Sequence, residues 1–438
     1  MSMERLQAVK GMNDLLPPES AKWHLVETRA RALLEAYGYR EVRTPLVEPT
    51  TLFARAIGVA TDIVEKEMYT FTDRDGSSLT LRPEGTAGAV RAYLEHQVAG
   101  REGHSRWYYS GPMYRHERAQ KGRYRQFFQI GAEALNQPEP TVDAEMIAML
   151  AQLFTALGIG DVDVLVNCVG GAEDRPIYMA ALRAYLEAPG PDGAPRLSRL
   201  SETSQRRLDK NPLRILDSKD PTDIELTANA PSILDHLCEA SKAHFDAVLA
   251  TLRELGVKFT VDARLVRGLD YYTGTVFEVR GRGPGLGAQN ALCGGGRYDA
   301  LVETLGGART PAVGFAFGVE RVVASIPGEP ASFEQAPELV LVSHGDAARR
   351  FNLALAQELR GRGYRVDVDH RAASMKSQMK RADKLGARFV GVLGEDELAK
   401  GVLMLRDMGA GEQRPVTRAE VEPALAAARI SPTVKQEA

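Results

Sequence analysis

Cysteine is scarce. The chain has three, Cys168, Cys238 and Cys293, far apart and with no CxxC pair. That excludes a disulfide framework and a zinc knuckle. The eight histidines fall in no HExxH or HxH pattern, so no metal-binding motif is legible. No apolar run approaches the roughly 18 residues that a spanning helix needs. The start, "MSMERLQAVKGMNDLLPPES", lacks an apolar signal core, and cytoplasmic location is the default expectation. Net charge is only -3, which argues against a coat for nucleic acid but permits a local basic patch.

What is present is the composition of a folded globular chain, 44% hydrophobic and 26% charged. At 438 residues it is too long for one ordinary core. Amphipathic spacing predicts helices over 20–36 and 141–157. Residues 79–96 read as strand, turn and helix, and 106–135 as two long strands around "RAQKG". From about 175 to 256 the pattern is mainly helical. "GFAFGVERVVASI", 314–326, reads as a strand entering a helix. "PGEPASFEQAPE", 327–338, reads as a linker. After it, strand and helix patterns alternate as in a small α/β domain, and 431–438 reads as a frayed tail. "GRGPGLG", 281–287, follows a strand but opens no helix, so it reads as a loop and not a dinucleotide fingerprint.

The densest chemistry lies in "YYSGPMYRHERAQKGRYRQFFQIGAEAL", 108–135. Read as strands with period two, Arg115 and Glu117 share one face and Gln129 and Glu133 share another. His116 would then point away, in a structural role. Four arginines, Arg115, Arg118, Arg123 and Arg125, crowd this hairpin together with Lys121. A solvated hairpin uses lysine freely; arginine suits a forked grip on phosphate or carboxylate. A second concentration is "LVRGLDYYTGTVFEV", 265–279. Arg267 and Asp270 precede an alternating strand, and a buried arginine there needs an anion. The plainer readings are that Arg267 is a structural bridge to Asp270 or Glu278, and one of Tyr271 and Tyr272 a core aromatic, since strand neighbours face opposite ways.

These segments resemble the class II aminoacyl-tRNA synthetases. Arg115, Glu117, Arg123 and Phe127 fit motif 2, "GFAFGVERV" ending in Arg321 fits motif 3, and "GYREVRTPLVEP" with its preceding helix is similar to the dimer-forming motif 1. "LVRGLDYYTG", "GGGRYD" and "LRPEGTA" are similar to signatures of the histidyl-tRNA synthetases, and the likeness runs over essentially the whole chain. The resemblance implies an α+β catalytic core over 1–326, an antiparallel sheet flanked by helices, interrupted by a mainly helical insertion near 175–256. It implies an α/β anticodon-binding domain over 339–430. It implies that Arg115 holds the α-phosphate of ATP and the amino-acid carboxylate, that Arg321 and Arg123 engage the phosphate tail, and that Phe127 and Glu117 meet the adenine. Arg267 would face the α-phosphate. Glu84, Gly85, Thr86 and Gln129 would surround the α-ammonium of histidine, and Glu133, Tyr271, Tyr272 and Tyr298 its ring.

The implied substrates are L-histidine, ATP with Mg²⁺ and histidine tRNA, the implied assembly a homodimer. In "RAASMKSQMKRADKLGAR", Lys376, Lys380, Arg381 and Lys384 are the candidates for tRNA phosphate; the three lysines fall on one helix face. Three other readings compete with this: a non-catalytic regulatory relative of histidine biosynthesis, a class II synthetase for another amino acid, and a nucleotide-binding enzyme unrelated to RNA. The intact arginine set, "LVRGLDYY" with the "RPEGT" turn, and the basic helix respectively weigh against them.

Overall fold

The structure, a computed structural model, describes residues 6–59, 61–118, 120, 122–160, 162–190, 193–282 and 290–430. Lys121, most of the 281–287 loop and the 431–438 tail lie outside the described residues. The chain divides into two compact units, residues 1–333 and 334–438.

Among the described residues the first unit contains eleven strands: β1 Arg40–Glu41, β2 Val47–Pro49, β3 Tyr69–Thr72, β4 Ser78–Leu81, β5 Ser105–Tyr114, β6 Gln126–Leu135, β7 Val162–Cys168, β8 Thr260–Val261, β9 Thr275–Gly281, β10 Ala291–Arg297 and β11 Ala312–Gly318. Eight form one sheet in the order β1-β5-β6-β11-β10-β9-β7-β8. Its interior pairings are antiparallel, while both edges, β1 on β5 and β8 on β7, are parallel. The sheet is therefore mixed at its rims. A small antiparallel sheet, β2-β4-β3, stands apart from it.

The two faces of the large sheet differ because strand side chains alternate. On one face Ile130, Ala132 and Ala134 of β6, Phe277 and Val279 of β9, and Phe315 and Phe317 of β11 join the main core. Helices Glu19–Ala36, Pro140–Ala156 and Glu239–Glu254 cover that face with their buried stripes. The first of these buries Val26, Ala30 and Leu34 at four-residue spacing and ends before Gly38, whose φ of 80° suits the end of a helix. On the opposite face the central strands carry Gly131, Gly314, Ala316, Gly318, Gly294 and Gly296, cross-strand neighbours or nearly so. That absence of side chains leaves space above the sheet.

One buried ion network ties the sheet to its helices. Asp143, fully buried on helix Pro140–Ala156, accepts from Arg297 Nε of β10 at 3.2 Å and from Arg297 Nη2. His244 Nε2 stands 3.6 Å from the same carboxylate. Burial works against the Asp143 charge, but His244 and Arg297 outweigh it and hold its carboxyl below the usual range.

Between 174 and 254 the chain forms helices Asp174–Glu187, Glu202–Lys210, Pro221–Leu226 and Glu239–Glu254 with short 3₁₀ turns. The first three pack around a core of their own that includes Leu182, Leu186, Leu213, Ile215 and Val266.

The expected linker over 327–338 differs from what is found. Pro330–Phe333 forms a 3₁₀ turn, Phe333 packs on the main core, and Lys22 Nζ lies 5.3 Å from its ring centre. A single aromatic anchor thus draws half of the proline-rich stretch into the first unit.

The second unit is a five-stranded sheet, ordered β13-β12-β14-β15-β16, from β12 Leu339–Ser343, β13 Val366–Val368, β14 Phe389–Leu393, β15 Val402–Asp407 and β16 Gln413–Thr417. β12 pairs in parallel with β13 and β14, and the last two pairings are antiparallel. Helices Asp346–Gly361 and Met375–Lys384 make the crossovers. The final strand and the helix Arg418–Ile430 have no counterpart in the sequence reading: "QRPVT" has only one buried side chain, so it shows no alternation to detect.

Candidate active site

The space above the glycine-bearing strands is a cleft. Its wall brings together Glu84, Thr86, Arg115, Glu117, Arg123, Phe127, Gln129, Arg267, Tyr271, Tyr272, Tyr298 and Arg321 from segments spread over 238 positions. Glu133 stands just beneath, fully buried on β6. The four basic sequence candidates of the second unit are not among these residues.

One end of the cleft is built around Glu133. It accepts from Thr86 Oγ1 at 2.7 Å, from Tyr109 Oη at 3.1 Å and from Tyr298 Oη. Burial pushes its carboxyl from 4.5 up to about 8, against the hydrogen bonds from Tyr298, Thr86 and Tyr109 that favour the ionised form. Glu84 lies before helix Thr86–Glu95 and accepts the backbone N–H of Thr86 at 2.7 Å and of Ala87 at 2.9 Å. It thereby satisfies two of the helix's unpaired amides and sits at the positive end of the helix. Burial raises its carboxyl too, and those amides work against the rise. Gly85 is needed beside it, because a Cβ there would overlap the Tyr109 ring. Gln129 Oε1 is buried with no hydrogen-bond partner.

Glu133 gives this end a pH signature. Near pH 4.5 and below, the folded and unfolded chains both hold its proton. Between 4.5 and about 8 only the folded chain does, so its presence makes stability fall as pH rises through that window. Glu133→Gln cannot ionise and is expected to lose that slope. Urea midpoints measured across the window test it; a variant with the wild-type slope would refute the assignment.

The other end carries cations. Arg115 Nε donates to Pro83 O at 2.9 Å, and its guanidinium lies 5.2 Å from the Phe127 ring centre. Arg123 pairs with Glu117 at 3.3 Å. Arg321 donates from Nε to Gly122 O at 3.1 Å and from Nη1 to Ala291 O at 3.0 Å. Burial lowers the Arg321 pKa, and repulsion by Arg123 and Arg115 adds to the fall. Glu320 beside it accepts the Phe128 N–H at 2.9 Å and fixes the start of β6; burial pushes its carboxyl up to about 7.

Arg267 lies between these ends. Its Nη1 donates to Glu278, which also accepts from Arg280 Nε at 2.6 Å, and its Nε is buried with no hydrogen-bond partner. Burial opposes its charge, but Tyr272 and Glu278 outweigh it and raise its pKa. The bridge to Glu278 allowed by the sequence exists; Asp270 instead accepts from Asn211. A Cβ on Gly294 would overlap the Arg267 guanidinium, and one on Gly314 would overlap Glu133. These glycines are therefore space for particular side chains.

Several local expectations need correction. Arg115 and Glu117 are not strand residues. β5 ends at Tyr114, and although Arg115 N–H still meets Arg125 O at 2.9 Å, His116 N–H turns away to Glu67 O at 2.7 Å. His116 is not a strand residue facing away; it sets its ring against Tyr69, centroids 5.4 Å apart. Tyr271 and Tyr272 are not strand residues either. They form a turn before β9, with ring centroids 4.7 Å apart, and Tyr271 also meets Tyr298 at 5.6 Å, so both reach the cleft. Tyr109 and Glu320 are absent from the sequence reading. The alternation in "YYSG" opposite "IGAEAL" holds the signal for Tyr109, since Gly131 directly opposite makes room for its ring. In the second unit Lys376, Lys380 and Lys384 are exposed on helix Met375–Lys384, while Arg381 is bound to Asp367 at 2.6 Å.

Known proteins are similar to this chain over most of its length. The family model described as histidyl-tRNA synthetase matches residues 11–322, and that described as anticodon binding domain matches residues 338–428. The histidine--tRNA ligase of Sorangium cellulosum (strain So ce56) is 50% identical over 411 residues, 94% of each chain. That of Dechloromonas aromatica (strain RCB) is 51% identical over 412 residues, 93% of each chain. The crystal structure of apo S. aureus histidyl-tRNA synthetase superposes with a TM-score of 0.79 at 36% identity, covering 97% of this chain and 99% of that one. A match of this extent, over both units, means that the chain belongs to the histidyl-tRNA synthetase family.

Proposed function

We propose that this chain ligates L-histidine to histidine tRNA at the expense of ATP, through a histidyl-adenylate. The observation that carries the reading is one cleft with arginines at one end and, at the other, a buried carboxyl ringed by tyrosine and threonine hydroxyls. The arginine end suits phosphates and a carboxylate, and the tyrosine-lined end suits an ammonium group and an imidazole.

In the first step a carboxylate oxygen of histidine attacks the α-phosphorus and the bond to pyrophosphate breaks. The carboxylate is already ionised, so no protein base is required. The difficulty is repulsion between anions, which fixed cations relieve without reorganising. Arg115 and Arg267 would hold the α-phosphate, Arg115 also the carboxylate, and Arg321 and Arg123 the phosphate tail with the Mg²⁺ that ATP brings. Phe127, already stacked by Arg115, would take the adenine with Glu117 at its edge. Glu84, Gly85, Thr86 and Gln129 would receive the α-ammonium; the unpartnered Gln129 Oε1 supports this. Glu133, Tyr271, Tyr272 and Tyr298 would read the ring. A Glu133 that titrates near 8 can share a proton with a ring nitrogen. In the second step a terminal ribose hydroxyl of the tRNA attacks the carbonyl and AMP leaves.

ATP–pyrophosphate exchange without tRNA, run with each amino acid in turn, tests the core of this reading. Histidine alone is expected to support exchange. Exchange driven by a different amino acid would overturn the pocket assignment, because a polar pocket left unpaired rejects an analogue by about 10⁴–10⁵.

The finer parts of the proposal are a cytoplasmic homodimer, with helix Glu19–Ala36 and the segment after it at the two-fold, and tRNA phosphate contacts by Lys376, Lys380 and Lys384. No helix among the described residues is long and apolar enough to cross a membrane. A monomer in sedimentation equilibrium at micromolar concentration would refute the dimer. Arg381 is kept as a candidate only if tRNA displaces Asp367.

A further inference from the structure

The residues that approach the cleft at 267–272 lie in a turn with no sheet partner on either side. Something other than a β-ladder must hold it. One support comes from the segment at 57–58. Asp270 N–H donates to Ile57 O at 3.2 Å, and a Cβ at Gly58 would come within 2.6 Å of Asp270 Oδ2. Further polar supports come from the helical insertion. Asn211 Nδ2 donates to Asp270 Oδ1 at 2.7 Å, Arg214 Nη1 donates to Gly268 O at 3.2 Å, and Arg175 Nη2 donates to Tyr272 O. None of the three donors is among the residues that line the cleft. A cavity of about 30 Å³ is lined by Arg175, Asn211, Arg214, Arg267, Asp270 and Tyr272. That is room for a bridging water, for which about 10–15 Å³ suffices.

We infer that the helical insertion is part of the amino-acid pocket: Arg175, Asn211 and Arg214 are positioning residues that hold the turn 268–272 so that Arg267, Tyr271 and Tyr272 meet the cleft. None of the three is among the residues through which the reaction was derived above. They act through the turn, on two backbone carbonyls and one carboxylate. The sequence pattern could not supply this, because Asn211 and Asp270 stand 59 positions apart. The activity assay rests on the proposed histidine chemistry; the backbone readout below does not.

The Asn211–Asp270 pair allows a polarity swap. Asn211→Ala removes the donor, Asn211→Asp sets two carboxylates against each other, and Asn211→Asp with Asp270→Asn restores one donor and one acceptor in reverse order. Loss of a hydrogen bond to a charged partner is expected to lower kcat/KM for histidine in pyrophosphate exchange about tenfold. Asn211→Asp should lower it further, and the swapped pair should return to within a few-fold of wild type, as a coupled pair does. Amide hydrogen exchange supplies the second readout. The N–H groups of Asp270, Thr273 and Gly274, bonded to Ile57 O, Arg297 O and Gly170 O, should lose protection in the single variants and regain it in the swap. Single variants with wild-type kinetics, unchanged amide protection, or a swap no better than Asn211→Asp would each overturn the inference. A wild-type chain that shows no histidine-dependent exchange, with amide protection responding as described, would instead remove the proposed reaction and leave the buttress standing.

Discussion

Replacing Arg267 with histidine is expected to slow adenylate formation by about 10²–10³-fold, the usual effect of removing one fixed donor from a developing charge. Transfer from preformed adenylate should fall far less, because the α-phosphate has by then lost its pyrophosphate. The structure makes this a clean experiment. Glu278 keeps its bond from Arg280 Nε at 2.6 Å when Arg267 is gone, so no carboxylate is left buried without a cation. The fold should survive and the chemistry should not. Single-turnover rates for the two steps, measured separately, decide the matter. Equal loss in both steps would sink the proposed role and return Arg267 to a structural partner of Glu278.

The second large effect concerns stability. Asp143→Ala removes the acceptor of a buried arginine. Arg297 is 3% exposed, and it would keep only backbone carbonyls and the more exposed Asp299. Breaking a buried pair from one side costs about 3–5 kcal/mol, most of it the stranded charge. The loss is expected in the urea transition of residues 1–333, with the transition of 334–438 as an internal control. A shift below about 1 kcal/mol, the range of exposed pairs, would mean that the guanidinium finds water or another partner.

Much of the site was legible because the chemistry is carried by residue types that are costly to bury. Arg115, Arg267 and Arg321 line one cleft, as the motif resemblance led one to expect. Part of the large sheet was legible for a related reason: in β9 Thr275, Phe277 and Val279 are buried while Glu278 and Arg280 are less so, whereas β7 and β10, buried on both faces, show no such alternation and were not read as strands. What failed was local geometry decided by distant partners. Arg115 and His116 leave the strand because Glu67 O, 49 positions away, captures the His116 N–H. Tyr271 and Tyr272 sit in a turn because the insertion and residue 57 hold it there. The linker shortened because Phe333 found the core. No window of neighbouring residues contains any of these partners.

The floor of the cleft has one more consequence. Gly294, Gly314 and Gly318, which line it, have no rotamers to freeze, and their backbones are already fixed by the ladder. Ordering a long side chain on binding costs about 0.5–1.5 kcal/mol. Here that entropic penalty falls on whichever long side chains of the wall must rearrange, and hardly at all on the floor. The floor behaves as a rigid mould, so a ligand that reaches only the floor should bind with less entropy loss than one that also recruits the arginines.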